Sequence, residues 1–255
     1  MPVPLTLVPE TRGGLRVHAL RGALEYGVDA FVTDRSGGVS TGPYDSLNLG
    51  AHVGDRLEHV AENRRRVAAA GGVDLDRLVI VRQVHGRDAV DASLVAPDTC
   101  ADTMHTERHD LALAILVADC LPVLLFDDVS TRIAVVHAGW RGLDAGVLEG
   151  AVTGFPDPPR VRAVIGPSIS VDGYQVGPEV AERFAHVKGA LRPDGLDHWR
   201  LDLRRVAEVQ LLERGVDPHH VFATTASTDG GGTFFSDRAQ RPCGRFALVA
   251  RRVLA

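Results

Sequence analysis

Apolar and polar positions along this chain group into short segments whose spacing predicts alternating strands and helices. Leu57, Val60, Ala61 and Val67 share one face of a helix predicted over Leu57 to Ala70, with Gly71-Gly72 as its stop. Leu78-Val79-Ile80-Val81 reads as a buried strand running into Gln83-Val84-His85-Gly86. Three strand-length apolar runs follow, Leu111 to Val117, Val123 to Phe126 and Ile133 to Val136, with a turn at Asp127-Asp128 and Ser130. A helix is expected after Gly142 through Leu143, Val147 and Leu148, then a strand from Val161 to Ile165 ended by Gly166-Pro167. Gly177-Pro178-Glu179 opens a helix toward Val187, because proline suits a first helical position. Asp202 caps a helix reaching Arg214 and closed by Gly215, while Val221-Phe222 and Phe246 to Val249 form the last strands. The irregular interleaving predicts an α/β (α+β) fold of mixed sheets with helices packed outside, as a single domain over residues 1–255.

Composition narrows the setting. The 255 residues are 45% hydrophobic and 24% charged, enough apolar content to bury a full core. A formal net charge of -5 and a pI near 6.1 give no electrostatic pull toward nucleic acid. The longest apolar runs are strand-sized, and the start Met1-Pro-Val-Pro-Leu-Thr lacks a basic region and a long apolar core, so neither a membrane span nor a signal peptide is expected. Three cysteines, Cys100, Cys120 and Cys243, are too few and too odd for a disulfide framework, which points to a reducing cytoplasm.

Against that background His85, Cys120 and His137 stand out, each placed at the C-terminal end of a predicted strand, where side chains from separate strands converge on one cleft. Two imidazoles and a thiolate suit zinc, and three protein ligands leave a fourth position open for catalysis. A blue-copper site uses the same set with a weak axial methionine, for which only Met1 and Met104 are available. A metal-free alternative takes Cys120 as nucleophile and His137 as base.

Several near-literal motifs carry a resemblance. Arg35-Ser-Gly-Gly-Val-Ser40, Pro43-Tyr-Asp-Ser-Leu-Asn-Leu-Gly50, His52-Val-Gly-Asp55, Gln83-Val-His-Gly86, Ala118-Asp-Cys-Leu-Pro-Val123 and His137-Ala-Gly-Trp-Arg-Gly142 resemble the YfiH family. Members of that family are described as polyphenol oxidase or laccase-domain proteins, or as purine nucleoside phosphorylases with adenosine deaminase activity. The resemblance implies layered sheets related to cysteine-hydrolase-like proteins, and zinc at His85, Cys120 and His137. It further implies adenosine, inosine, guanosine and methylthioadenosine as substrates, cleaved by phosphate to a free base and a sugar 1-phosphate, in a monomer or homodimer.

Around this centre Arg35 and Arg141 are the candidates for phosphate contact, since guanidinium binds phosphate oxygens bidentately; surface ion pairs are their alternative. Asn48 is a candidate to hold a ribose or base, or else closes its own turn. Asp102 matches a family Ala-Asp-Ala element and is a candidate for positioning or substrate contact. Asp119 is a candidate to orient a ligand histidine, although a neighbour of Cys120 on a strand faces the other way. His105 and His109 would meet on a helix, but Met104 to Asp110 falls on a variable family loop and reads better as solvated; His219-His220 reads as structural. Several departures bear on substrate preference, and Asp172-Gly173 stands where the family commonly has cysteines before Tyr174. Gln175 replaces a family glutamate, and Ala226 to Ala239, with Gly230-Gly-Gly232, lacks the family's Cys-Thr pattern and keeps one arginine, Arg238.

Overall fold

The computed structural model describes residues 4–229 and 232–254. A hairpin of β1 (Thr6–Arg12) and β2 (Leu15–Arg21) turns through Gly13-Gly14, both at positive φ as a tight two-residue turn requires. It leads to β3 (Val28–Thr33), α1 (Leu57–Ala70), β4 (Leu78–Val79), β5 (Ala89–Asp91) and β6 (Thr103–Thr106). Next come β7 (Ala112–Val117), β8 (Leu121–Phe126), β9 (Ile133–Ala138), α2 (Trp140–Asp144) and α3 (Val147–Thr153). The remaining elements are β10 (Arg162–Ile165), β11 (Gln175–Val176), α4 (Pro178–Phe184), β12 (Leu191–Pro193), β13 (Trp199–Leu201), α5 (Leu203–Glu213), β14 (Val221–Ala223) and β15 (Phe246–Arg252).

Two six-stranded sheets, ordered β1-β2-β3-β15-β7-β4 and β14-β10-β8-β9-β6-β5, carry most of the strands, and β11-β13-β12 form a small third sheet. Both large sheets are mixed, with β4–β7, β5–β6 and β10–β14 parallel and their other pairs antiparallel.

The uninterrupted apolar runs have two dry faces to serve. In β7, Leu113, Ile115 and Val117 join Phe246 and Leu248 against Leu124 and Phe126 of the second sheet, filling the space between sheets. The alternate residues Ala112, Ala114 and Leu116 face outward under Val67 and Ala68 of α1. Leu121, Val123 and Leu125 of β8 turn the other way, beneath α2 to α5. The result is a mixed α+β fold of four layers, helix, sheet, sheet and helices. Among the described residues no helix is long and apolar enough to cross a membrane.

The expected elements shift where contacts distant in sequence outweigh local pattern. Helix α1 runs over the predicted residues, but Leu57 and Ala61 are exposed and its buried face is Val60, Asn63, Val67 and Ala68. The 78–81 run pairs at only Leu78 and Val79, against Ala112 and Leu113. Beyond them the Gln83 side chain takes over: its Nε2 donates to Leu116 O at 2.7 Å and its Oε1 accepts from Leu116 N at 2.8 Å. The helix expected after Gly142 begins earlier, at Trp140, and breaks at Gly146, whose φ of 83° interrupts it before α3. The helix opened by Pro178 ends at Phe184, short of Val187. Met104 to Asp110 is not solvated throughout, since Met104 is fully buried in β6 and His105 is half-buried against Arg132. Asp202 does cap α5, accepting from Arg205 N at 3.0 Å, and Gly215 follows at a φ of 86°.

Candidate metal centre

Two loops carry the chain from the first large sheet to the second, one between β4 and β5 and one between β7 and β8. His85 lies on the first and Cys120 on the second; His137 reaches them from β9 of the second sheet. The crossovers bring one ligand atom from each residue within 4.8 Å of the others. Cys120 Sγ lies 3.9 Å from His85 Nε2, and the two imidazoles meet edge to face with centroids 4.7 Å apart.

Convergence is therefore as expected, while the strand-end placement needs correction. His85 sits in an irregular turn at a φ of 59°, Cys120 immediately precedes β8, and His137 is the penultimate residue of β9. A left-handed non-glycine residue costs energy and persists only where surrounding contacts impose it. At His85 the imposing group is Asp102, a fully buried carboxylate. It accepts the backbone N–H groups of Val84, His85 and Gly86 at 3.2, 2.9 and 2.7 Å. The same carboxylate accepts from His137 Nδ1 at 2.7 Å, which leaves Nε2 of that ring free to ligate. Asp102 thus sets both histidines, a stronger part than its sequence match alone suggested.

Asp119 does not touch a ligand histidine. At a φ of 92° it directs its carboxylate to Thr228 Oγ1 and to Arg238 N at 2.7 Å, fixing the turn that presents Cys120.

The three residues fit a metal. Metal–ligand bonds of roughly 2.0–2.3 Å place neighbouring donors of a tetrahedral site about 3.3–3.7 Å apart, so a small contraction closes this set around an ion. The neighbouring backbone is shaped for it: a Cβ on Gly139 would lie 2.9 Å from Cys120 Sγ and 3.2 Å from His85 Cδ2. Only glycine lets the chain pass there without displacing a ligand.

Charge is arranged to match. Burial disfavours the Cys120 thiolate, but the positive His137 beside it and hydrogen bonds from both histidines prevail, bringing the thiol down to about 6. Burial likewise opposes charge on His137, yet the thiolate and Asp102 lift it to about 9. Without a metal these two groups form a thiolate–imidazolium pair near neutral pH.

The cluster opens into a cavity of about 900 Å³. Six arginines line it, Arg64, Arg82, Arg141, Arg238, Arg241 and Arg245, against the carboxylates Asp119 and Asp237. In a chain of net charge -5 this is a local reversal of sign, suited to an anion. Tyr174 and Trp140 supply ring faces, with the Arg238 guanidinium 5.2 Å over Tyr174 and that of Arg141 4.3 Å over Trp140. Burial, followed by the nearby Cys120 charge, pushes the Tyr174 hydroxyl up to about 12, so it stays protonated.

Of the other expected contacts, Arg141 alone reaches the cavity. Arg35 donates from Nε to Asp45 O at 2.8 Å and stacks over Phe235, outside the lining. Asn48 is fully buried, donating to Gly50 O and Asp55 and accepting from Gly50 N and Arg245 N, so it closes its loop. Gln175 also lies outside the lining, its Nε2 donating to Asp194 at 2.6 Å. The Ala226 to Ala239 segment meets the cavity through Asp237 and Arg238; Gly230 and Gly231, like Met1, lie outside the described residues. Met104 is in the core between the sheets and lines no part of the cavity. His219 and His220 occupy the turn before β14, with His220 Nδ1 2.9 Å from Pro159 O. Sequence patterns assigned no role to His52, Arg64, Tyr174 or Arg245, which come from four separate segments; His52 opens one of the family-like motifs, while nothing local singles out the other three.

A family model described as multi-copper polyphenol oxidoreductase laccase matches residues 29–252. The chain is 40% identical over 227 residues to the purine nucleoside phosphorylase YfiH of Escherichia coli K12, covering 87% of this chain and 92% of that protein. It is 40% identical over 236 residues to a purine nucleoside phosphorylase of Pseudomonas aeruginosa, covering 87% and 92%. The crystal structure of YlmD from Geobacillus stearothermophilus superposes with a TM-score of 0.88 at 30% identity, covering 98% of this chain and all of that one. A Neisseria meningitidis protein superposes with a TM-score of 0.83 at 36% identity, covering 89% and 95%. Matched over most of its length in both sequence and fold, the chain belongs to the laccase-like YfiH family.

Proposed function

We propose that this protein is a zinc-dependent purine nucleoside phosphorylase, acting on adenosine, inosine, guanosine and methylthioadenosine, with adenosine deamination as an accompanying activity in the cytoplasm. The observation that carries the reading is an arginine-lined cavity around a His85–Cys120–His137 ligand set. Its support from relatives is that the Escherichia coli and Pseudomonas aeruginosa proteins are both named purine nucleoside phosphorylase. In phosphorolysis an oxygen of hydrogen phosphate bonds to C1′ of the ribose as the C1′–N bond breaks. The bonding pair leaves with the purine, and the proton carried by hydrogen phosphate ends on the base, so the reaction needs no oxidant.

When bound, zinc supplies Lewis-acid polarisation and positive charge at the centre of the cavity. The chain's own residues do the rest. Asp102 holds His137 in one tautomer and fixes the His85 turn, so both imidazoles are oriented before substrate arrives. Tyr174 and Trp140 offer ring faces to a purine, and Arg141, stacked on Trp140, extends that surface.

A copper-dependent phenol oxidase is the second reading, favoured by the family description and by a ligand set copper also accepts. Metal analysis of purified protein, with an inosine assay run with and without phosphate, separates the two. About one zinc per chain and phosphate-dependent release of hypoxanthine are expected, with most of the zinc lost in Cys120→Ala. Stoichiometric copper with oxygen uptake on a phenol would establish the oxidase instead. Neither metal nor either activity would leave the Cys120–His137 pair as a metal-free nucleophile and base.

A further inference from the structure

The arginines of the cavity are not equivalent. Arg238 and Arg141 lie on the Cys120 side, where both act on Tyr174. Arg64, Arg245 and His52 gather on the His85 side, where the charges acting on His52 are those of Arg245, Arg64 and His85.

We propose that Arg64 and Arg245, with His52 beside them, seat the inorganic phosphate that attacks the nucleoside, leaving Arg141 and its aromatic neighbours to the purine. This rests on the phosphorylase reading above.

The two arginines share one bracket. Arg64, on α1, donates from Nε to Leu49 O at 2.9 Å. Leu49 N donates to Arg245 O at 3.0 Å, and Arg245 N donates to the Asn48 side chain at 2.9 Å. Asn63, the neighbour of Arg64, donates to Asn48 O at 2.8 Å and clamps the same segment to the helix. At Gly50 a Cβ would fall 2.9 Å from Arg245 Cγ, so the bracket admits no side chain where the arginine stem lies. Residues from the Asn48 loop, α1 and the approach to β15 are thus tied together, anchored by Leu49, Asn48 and Asn63, all buried.

Charge on this side is left unbalanced. Among the described residues Arg64 has no carboxylate within ion-pair distance, and its terminal nitrogens have no acceptor beyond the Nε contact. Burial is the sole influence on it and disfavours its charge, yet guanidinium does not give up a proton at any physiological pH. Arg245 reaches Asp237 at 3.2 Å, but Asp237 is already held by Arg241 Nε at 2.6 Å. Partial burial, then the charges of Arg245, Arg64 and His85, lower the basicity of His52, and a ring N–H of its imidazole can donate to an anion. A half-buried cation without a counterion is costly unless an anion completes it. A nucleoside is uncharged and cannot do so; a phosphate dianion can, through paired guanidinium contacts.

The test uses zinc-loaded protein, with phosphate binding by calorimetry and initial rates with inosine. Arg64→Met and Arg245→Met are expected to raise the KM for phosphate about ten- to a hundredfold, the range for a lost charge-assisted contact, with zinc content and the KM for inosine unchanged. Arg64→Lys restores part of the loss, which covers the case of a Met variant that does not fold. If the parent phosphorolyses inosine but these variants keep its phosphate affinity, the seat is wrong and the phosphorylase reading stands. If the parent releases no hypoxanthine and binds no phosphate, both fall. Variants that weaken only ribose 1-phosphate in the reverse reaction would assign the pair to the product's phosphoryl group and overturn the proposal.

Discussion

Replacing Asp102 by asparagine tests the claim that one buried carboxylate sets both histidines. Oδ1 accepts from His137 Nδ1 and His85 N, and Oδ2 accepts from Gly86 N and Val84 N. An amide has one accepting oxygen and one donating nitrogen, so in Asp102→Asn one pair of donors survives and the other faces an N–H group. Keeping the oxygen on His137 abandons the turn at Gly86 and Val84; the flipped amide abandons the ring. Two hydrogen bonds to a charged acceptor are lost, each worth about 1.5–3 kcal/mol, partly offset because a neutral amide costs less to bury than a carboxylate. A net loss of about 3 kcal/mol in the metal-free protein follows, together with a fall of roughly 10- to 100-fold in zinc affinity from loosened ligands. Urea unfolding of chelator-treated protein gives the first quantity, and competition with a chromogenic chelator the second. A variant within about 0.5 kcal/mol and twofold of the parent on both measures would refute the positioning role.

Three further outcomes are expected. Gly139→Ala should weaken zinc binding about tenfold or more while leaving far-UV circular dichroism unchanged, because its Cβ meets Cys120 Sγ at 2.9 Å; Gly150→Ala on α3, whose Cβ would make only an ordinary contact with Arg87 O at 3.9 Å, is the control, and equal zinc affinity in the two would defeat the argument. Zinc binding near pH 7.5 should release at least one proton, that of His137 Nε2, since this ring is raised to about 9 while Cys120, lowered to about 6, is already a thiolate. Below about pH 6 the thiol adds a second proton and zinc affinity falls more steeply; titration in buffers of different ionisation enthalpy measures the number, and no release at pH 7.5 would contradict the pair. Gln175→Glu should leave zinc content and inosine turnover unchanged and cost about 1 kcal/mol of stability, because it exchanges a hydrogen bond to Asp194 for a second carboxylate; a gain in activity would return this position to the site.

What the sequence made legible was local. The candidate ligands could be picked out because His85, Cys120 and His137 lie in motif-like stretches beside glycines and apolar runs, and the strands over 112–117 and 133–138 follow from β-branched and leucine-rich content. The strand expected through Val81 is cut short by a side chain, Gln83, imitating a ladder on Leu116, which no periodicity reveals. The left-handed turn at His85 is imposed by Asp102, and the Asp119 turn by Thr228 and Arg238, partners remote in the chain. Arg35 looked as suitable for an anion as Arg64 does. They differ in setting: a loop carbonyl and Phe235 occupy the first, while the second faces a cavity.

Strand β15 lies in the middle of its sheet, hydrogen-bonded to β3 on one side and β7 on the other. A ribosome therefore delivers both flanking strands well before the one that joins them, and until then each presents an unsatisfied edge open to wrong partners. Arg245 immediately precedes β15, and its backbone N–H and carbonyl lock onto Asn48 and Leu49 as that strand docks. A species that has collapsed without inserting β15 can gather its histidines and cysteine but lacks the Arg245 side of its cationic wall, so the cavity is completed only as that strand docks.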